Sequence, residues 1–275
     1  MTDVERWLPT HFISHGGGPW PWIKDLMPID FEPLETSLQE LGREIGPTPR
    51  AILCISGHWE ASSFAVMTSP NPPMVYDYGG FPDFTYHLRY PAPGSPEVAD
   101  RVIELLTDAG MDPVADQERG YDHGTFAPLY AMYPDASVPI LQLSLRADYD
   151  PEAHLAVGRA LAPLRDEGVV LIGSGLSYHN LRAMGPEGAE PSRRFDTWLT
   201  ETLCSVTPEQ RTERLISWEQ APAARLCHPR EDHLMPLMVV VGAAEDELGT
   251  RTYHEETAFG SITASSYRFG APDAP

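Results

Sequence analysis

Short apolar runs rich in β-branched residues recur along the chain, separated by longer stretches whose apolar residues follow helical spacing. This alternation limits the fold more than any other feature. Strands buried on both faces read as continuous apolar runs, and they occur where helices cover both sides of a parallel sheet. The runs at 10–14, 51–56, 64–68, 139–145 and 169–173 predict strands, with a closing pair at 251–258 and 262–269. Helical spacing, with Ser, Asp or Pro near several starts, predicts helices over 31–45, 96–109, 152–167, 195–206 and roughly 230–243. The expected fold is α/β, three layers in the order α/β/α, on a mixed, largely parallel central sheet. At 275 residues and 42% apolar content, with no internal repeat, one domain spanning 1–275 is the expectation. Prolines gather in "SPNPPMVYDYGGFP" (69–82) and "YPAPGSPE" (90–97), which implies stiff, ordered loops of the kind that carry function.

Charge and cysteine content narrow the partners. Nineteen basic residues face forty acidic ones, a formal net charge of −21. Nucleic acid and anionic membrane surfaces are disfavoured, and a small-molecule partner is expected. Cys54, Cys204 and Cys227 make an odd count without a C-x-x-C pair, so neither a disulfide framework nor a zinc ribbon is indicated and a reducing cytoplasm is the expected location. No basic leader with an apolar stretch opens the chain, and nowhere do about 18 apolar residues run together, so neither export nor a membrane span is expected.

The histidines carry the main chemical signal. His15 ends the first apolar run in "FISHGGGPWPW", His58 follows "AILCIS", and His179 lies beyond "VVLIGSG". His123 sits in "GYDHGTF" before a helix, and His233 in "HPREDHLMPL" near the start of the last one. Residues just beyond parallel strands meet at the carboxyl edge of the sheet, where open α/β folds bind their ligands. Converging imidazoles suggest a metal, because neutral imidazole is its commonest protein ligand. A lone loop histidine more commonly caps or hydrogen-bonds, so the argument rests on shared placement. On a strand His11 would lie about 13 Å from His15, and it is set aside as a ligand. His87, His154 and His254 have no companions, while His228 is open between substrate contact and helix entry. The chain has no G-x-G-x-x-G, no P-loop and no G-x-S-x-G, which removes support for phosphate cradling and for a serine hydrolase.

Taken together, "SHGGGP", "ISGHWE", "YDYGGFP", "YPAPGSP", "GYDHGTFAPL", "MYPDASVPILQLSL", "GSGLSYHNL" and "HPREDHLMPL" resemble the class III extradiol ring-cleaving dioxygenases, in the 4,5-DOPA dioxygenase-like branch of the LigB superfamily, over about residues 10–245. The resemblance implies metal ligation by His15, His58 and His233, with His179 as the acid/base histidine and His123 facing substrate and oxygen. It implies a non-haem Fe(II) cofactor, zinc being the alternative ion, and a catechol and O2 as substrates. Three ligands leave open the coordination positions that a diol and dioxygen need, and glycines beside a ligand leave room. Trp59, Tyr121 and His228 are the expected substrate contacts, and among the aromatic residues around the motifs Trp59, Tyr76, Tyr78, Phe81, Tyr121, Phe126 and Tyr178 offer faces for a planar ring, although ordinary core packing accounts equally for them. Glu231 and Asp232 offer a carboxylate in place of His233. The loop "GGGPWPW" departs from the shorter "GSP" of the branch, which points to Trp20 or Trp22 at the pocket mouth. The rival readings are a zinc-dependent amide or ester hydrolase and a non-enzymatic, Memo-like binding protein on the same fold. A homodimer is the expected assembly.

Overall fold

A computed structural model describes residues 7–271. Its strands are β1 (Thr10–Ser14), β2 (Ala51–Ala61), β3 (Ala65–Met67), β4 (Val114–Asp116), β5 (Ile140–Arg146), β6 (Val169–Gly175), β7 (Gly249–Ala258) and β8 (Ile262–Phe269). They form one sheet in the order β4-β3-β5-β2-β6-β1-β8-β7. The central four, β5, β2, β6 and β1, run parallel. On one flank β3 pairs antiparallel with β5 and parallel with β4. On the other, β8 runs antiparallel to β1 and forms a hairpin with β7. The sheet is therefore mixed and largely parallel, as the apolar runs predict.

Helices cover both faces. On one side α1 (Trp20–Ile23), α2 (Glu32–Ile45) and α4 (His123–Met132) pack together, with α4 on β2. On the other, α9 (Met235–Gly242) lies on β6 and β1, backed by α5 (Pro151–Leu161) and α3 (Pro96–Asp108). The segment α6 (Pro186–Cys204) packs on the β7–β8 hairpin and is joined by α7 (Pro208–Ile216) and α8 (Ala224–Cys227). Every residue of "MPLMVVVG" in α9 is buried, as expected of a helix apolar all round. Among the described residues no helix is long and apolar enough to cross a membrane.

Several boundaries differ from the sequence expectation for physical reasons. The helix α6 starts at Pro186 rather than at residue 195, because Pro186 occupies the first turn, where a missing N–H costs nothing, and Pro191 follows inside the helix. Those residues read as breakers in the linear sequence. The element α7 begins with a capping box between Thr207 and Gln210, a signal overlooked in "TPEQ". Strand β2 runs on to Ala61, so His58 lies within it, in the irregular stretch between Ile55 and Glu60 where the register with β5 shifts.

Helices α5 and α9 touch backbone to backbone. A Cβ on Gly158 would stand 2.1 Å from the carbonyl oxygen of Val239, and one on Gly242 would stand 2.1 Å from that of Leu155. Backbone cannot yield as a side-chain tip can, so glycine is required at both positions. Gly158→Ala or Gly242→Ala should each lower stability by about 1–3 kcal/mol, as overpacking of a filled core does. The check is the urea midpoint at constant m-value, and an unmoved midpoint would show that the two helices have slack.

Candidate metal centre

Two backbone hydrogen bonds to the end of β6 and the course of β2 bring the histidines together. His15 lies one residue beyond β1, and its amide donates to the Gly175 carbonyl of β6 at 3.2 Å. The carbonyl of His233, in the turn before α9, accepts from the Leu176 amide at 3.1 Å. This close seating needs glycine in β6, since a Cβ on Gly175 would stand 2.2 Å from the His233 carbonyl oxygen. His58 enters from β2. The ring centroids of His15, His58 and His233 lie 5.0, 5.1 and 4.6 Å apart, and one ligand atom from each falls within 4.8 Å of the others. The Nε2 atoms of His58 and His233 are 3.1 Å apart.

Burial holds all three rings uncharged, with pKa values well below the usual 6.5, and neighbouring imidazoles push them lower still. Both ring nitrogens of His15 are buried without a hydrogen-bond partner. Buried polar atoms seldom stay unpaired, and a divalent cation would supply the missing partner. Carboxylates stand behind the other two rings. An oxygen of Asp77 is 3.2 Å from His58 Nδ1 and one of Asp232 is 3.0 Å from His233 Nδ1, which turns both Nε2 atoms toward the shared space. The donor set fits a metal with open coordination positions. Asp232, raised as an alternative ligand, stands beside His233 Nδ1 and also groups with His179 and His233 within 4.8 Å, while Glu231 pairs with Arg225 at 2.6 Å.

Asp77 escaped the sequence reading, although it stands in the quoted "YDYGGFP". Its Oδ1 accepts from the His123 amide at 3.0 Å and lies 2.9 Å from His123 Nδ1. Burial alone would raise its pKa, but these His123 contacts outweigh burial and bring it down. His123 is the first residue of α4, and its ring centroid is 3.9 Å from that of His58. Asp122 caps the helix by accepting from the Thr125 amide at 3.1 Å. It also accepts from Ser56 of β2 at 2.7 Å and Gln142 of β5 at 2.8 Å, and it pairs with Arg119. One carboxylate therefore ties α4 to two central strands. Gly124 is part of the same fit, since a Cβ there would stand 2.6 Å from Ser56 Oγ and 2.8 Å from His58 Cδ2.

His179, beyond β6, is held by its amide, which donates to Cys227 at 2.9 Å, and its ring stacks on His233 with centroids 3.3 Å apart. Burial lowers its pKa, and Asp232, 3.8 Å from Nδ1, works against that. The histidines open into a cavity of about 430 Å³, in the usual range for small-molecule sites.

The expected substrate contacts Trp59, Tyr121 and His228 do not line this cavity, which corrects the sequence expectation. Tyr121 is fully buried and spends its hydroxyl on backbone carbonyls, that of Ile140 at 3.0 Å. Trp59 lies under the Arg119 guanidinium, 5.0 Å away. His228 is buried against Phe195 and Trp218, with Nε2 3.0 Å from the Ser177 carbonyl oxygen. Tyr78 and Phe81 are the aromatic residues of "YDYGGFP" that do reach the cavity. Neither tryptophan of "GGGPWPW" stands at the mouth. Trp22 packs on Tyr130, and Trp20 lies against Gly16 with Nε1 donating to the His15 carbonyl at 2.8 Å. Gly16 has a φ of 82°, and a Cβ there would meet the Trp20 ring at 2.4 Å. The glycine after His15 therefore admits a tryptophan that braces the histidine.

Comparison with known proteins agrees with this geometry. Residues 10–270 match the family described as the catalytic LigB subunit of aromatic ring-opening dioxygenase. The chain is 38% identical to the 4,5-DOPA dioxygenase extradiol of Beta vulgaris, covering 98% of this chain and 99% of the relative. It is 34% identical to the protein of that name from Escherichia coli K12, covering 96% and 95%, and 36% identical to the dioxygenase tasH of Hapsidospora irregularis, covering 96% and 86%. A crystal structure of an uncharacterized Escherichia coli K12 protein superposes with a TM-score of 0.75 at 30% identity, covering 96% of this chain and all of the other. The chain belongs to the LigB family of aromatic ring-opening dioxygenase catalytic subunits.

Proposed function

We propose that this chain, acting as one catalytic domain in a reducing cytoplasm, is an extradiol dioxygenase that opens a catechol-type ring beside the diol and adds both atoms of O2. His15, His58 and His233 would hold a non-haem ferrous ion. The observation that carries the reading is the cluster of three uncharged imidazoles with a fourth, His179, stacked on it at the wall of a substrate-sized cavity. Relatives named as 4,5-DOPA dioxygenases support it. When bound, ferrous iron supplies redox coupling between an aromatic diol and dioxygen, which zinc lacks.

The protein's own groups do the rest. His179, uncharged because it is buried, accepts a phenolic proton on a ring nitrogen. Asp232 stabilises the imidazolium that results, and the proton returns to the opened product. His123, anchored to Asp77 through the Nδ1 side, keeps Nε2 for a hydrogen bond to the bound diol or dioxygen. Met27, Phe31 and Phe259 keep water from the reacting groups.

His15→Ala, His58→Ala and His233→Ala should each lose iron on dialysis against a chelator. Asp232→Asn should bind it about 10–100-fold more weakly, the usual cost of losing a carboxylate behind a ligand. Metal analysis decides, and full occupancy in His233→Ala with none in Asp232→Ala would reassign the third ligand.

His179→Gln should retain catechol affinity while kcat falls by about 10²–10⁴, the size of a general acid–base contribution. Burial lowers the His179 pKa, so the wild-type rate should hold through the ordinary imidazole range and decline only at more acidic pH as protons reach His179, and the glutamine variant should lack that component. Unchanged kcat would remove His179 from the chemistry.

Anaerobic loading with Fe(II), then air and a catechol, should consume one O2 per ring opened, a stoichiometry set by both oxygen atoms entering the product. The zinc form should be silent. Cleavage between the two hydroxyl-bearing carbons, or equal activity with zinc, would overturn the assignment.

A further inference from the structure

The loop that carries His179 is anchored on two sides. Ser177 Oγ accepts from the Ser265 amide of β8 at 2.9 Å, and the Tyr178 hydroxyl donates to the Ala183 carbonyl. On the other side three hydrogen bonds join the loop to the end of α8. The His179 amide donates to the Cys227 carbonyl at 2.9 Å, and the Asn180 side-chain amide to the Leu226 carbonyl at 2.8 Å. The third links His228 Nε2 to the Ser177 carbonyl oxygen, 3.0 Å away. Of residues 177–180 only His179 lines the cavity. Its neighbours are spent on holding it.

Two bonds of that seam end on backbone carbonyls, which stay in place whatever side chains stand at 226 and 227. The third depends on one imidazole. His228 is fully buried, with its ring centroid 5.2 Å from that of Phe195 and 6.0 Å from that of Trp218. Burial pushes its pKa down to about 4, so the ring is neutral and carries a single N–H. A carbonyl only accepts, which places that proton on Nε2. Nδ1 is buried without a partner, and among the described residues no other donor reaches the Ser177 oxygen. An apolar side chain would fill this cage without the cost of an unpaired nitrogen, so the bond to Ser177 is what the imidazole adds there. The segment around it is braced as well. Arg225 lies 4.8 Å over the Trp218 ring and pairs with Glu231, spanning His228 in the chain, and Ala223 enters α8 in the left-handed region with a φ of 62°.

We infer that His228 is a positioning residue for His179: by donating from Nε2 to the Ser177 carbonyl it fixes the loop that aims the His179 ring into the cavity. The inference rests on the acid–base reading of His179 for its effect on rate, and on the hydrogen bonds alone for the anchor.

The test compares His228→Gln, whose side-chain amide donates from near the Nε2 position, with His228→Leu, which fills the cage and donates nothing. Phe195→Leu loosens the same cage and keeps the imidazole. In the metal-free protein, hydrogen exchange at the His179 amide should quicken at least about tenfold in His228→Leu and stay near wild type in the other two. In the Fe(II)-loaded protein with a catechol, His228→Leu should keep iron and KM while kcat falls about 10–100-fold, the cost of displacing a reacting group by about an ångström, and His228→Gln should recover most of the loss. The double variant His179→Gln/His228→Leu should turn over no more slowly than His179→Gln, because an aim cannot be lost once the group is gone. Equal slowing in His228→Gln or Phe195→Leu assigns the effect to packing and overturns the inference, as do iron loss in His228→Leu and additive slowing in the double variant. Unchanged kcat in His228→Leu beside a slow His179→Gln overturns it alone. Unchanged kcat in His179→Gln discards the acid–base reading instead, and quickened exchange in His228→Leu then still establishes the anchor.

Discussion

Imidazoles with ligand atoms within 4.8 Å of one another in a buried region cannot all be charged, because three cations at that spacing would repel one another strongly, and burial holds each of them toward the neutral form. The architecture meets this condition by burial. Parallel β1, β2 and β6 end side by side, α4 and the turn before α9 close over their carboxyl ends, and the rings are left with their lone pairs intact. Asp77 and Asp232 stand behind His58 and His233, away from the shared space, so each ring is oriented without being protonated. The Asp122 hub and the glycines at 57, 124 and 175 serve the same condition, since each allows a strand, a helix or a turn to approach closely enough to shut water out.

The mixed α/β architecture was legible in the sequence because its central strands are continuous apolar runs and its site histidines follow or end them. Of the residues that the resemblance implies as ligands, His15 and His58 converge because β1 and β2, on either side of β6 in the parallel sheet, bring them together however far apart they lie in the chain, while His233 joins them from the turn before α9, seated on the Leu176 amide. The cavity-facing residues were legible only in part, since Tyr78 and Phe81 line it whereas Trp59, Tyr121 and His228 do not. Trp59, Tyr121 and His228 flank site motifs, but a residue next to a ligand in sequence commonly points the other way, into packing. Tyr121 shows this, with its hydroxyl tied to backbone carbonyls and no part in the cavity lining. Met27, Phe31 and Phe259 of the wall come from unrelated segments brought together only by the fold, and none of the three belongs to a quoted motif. Asp77 lay in plain view, but a carboxylate in a proline-rich loop has no periodicity to reveal what it faces.

The "GGGPWPW" loop shows how a correct question can receive an incomplete answer. Glycine beside a ligand suggests open space, yet the space around Gly16 and Gly18 is filled by the rings of Trp20 and Phe81. The glycines let aromatic side chains press against the backbone that carries His15, and the Trp20 indole N–H fixes its carbonyl. Small residues here make the ligand rigid rather than free.

Sheet order also governs the sequence of events during synthesis. Strand β1 is made first, yet its two neighbours are β6 and β8, at 169–175 and 262–269. Until the last hairpin is made, β1 has an open edge, and the wall near His15 lacks Phe259. Pairings across so many residues are slow to form and leave apolar edges uncovered in the interval. On the ribosome, then, the chain completes its cavity only as its final strands emerge. Loss of the C-terminal hairpin would strip the edge from the strand that carries the first histidine, so a truncated product would be aggregation-prone as well as inactive.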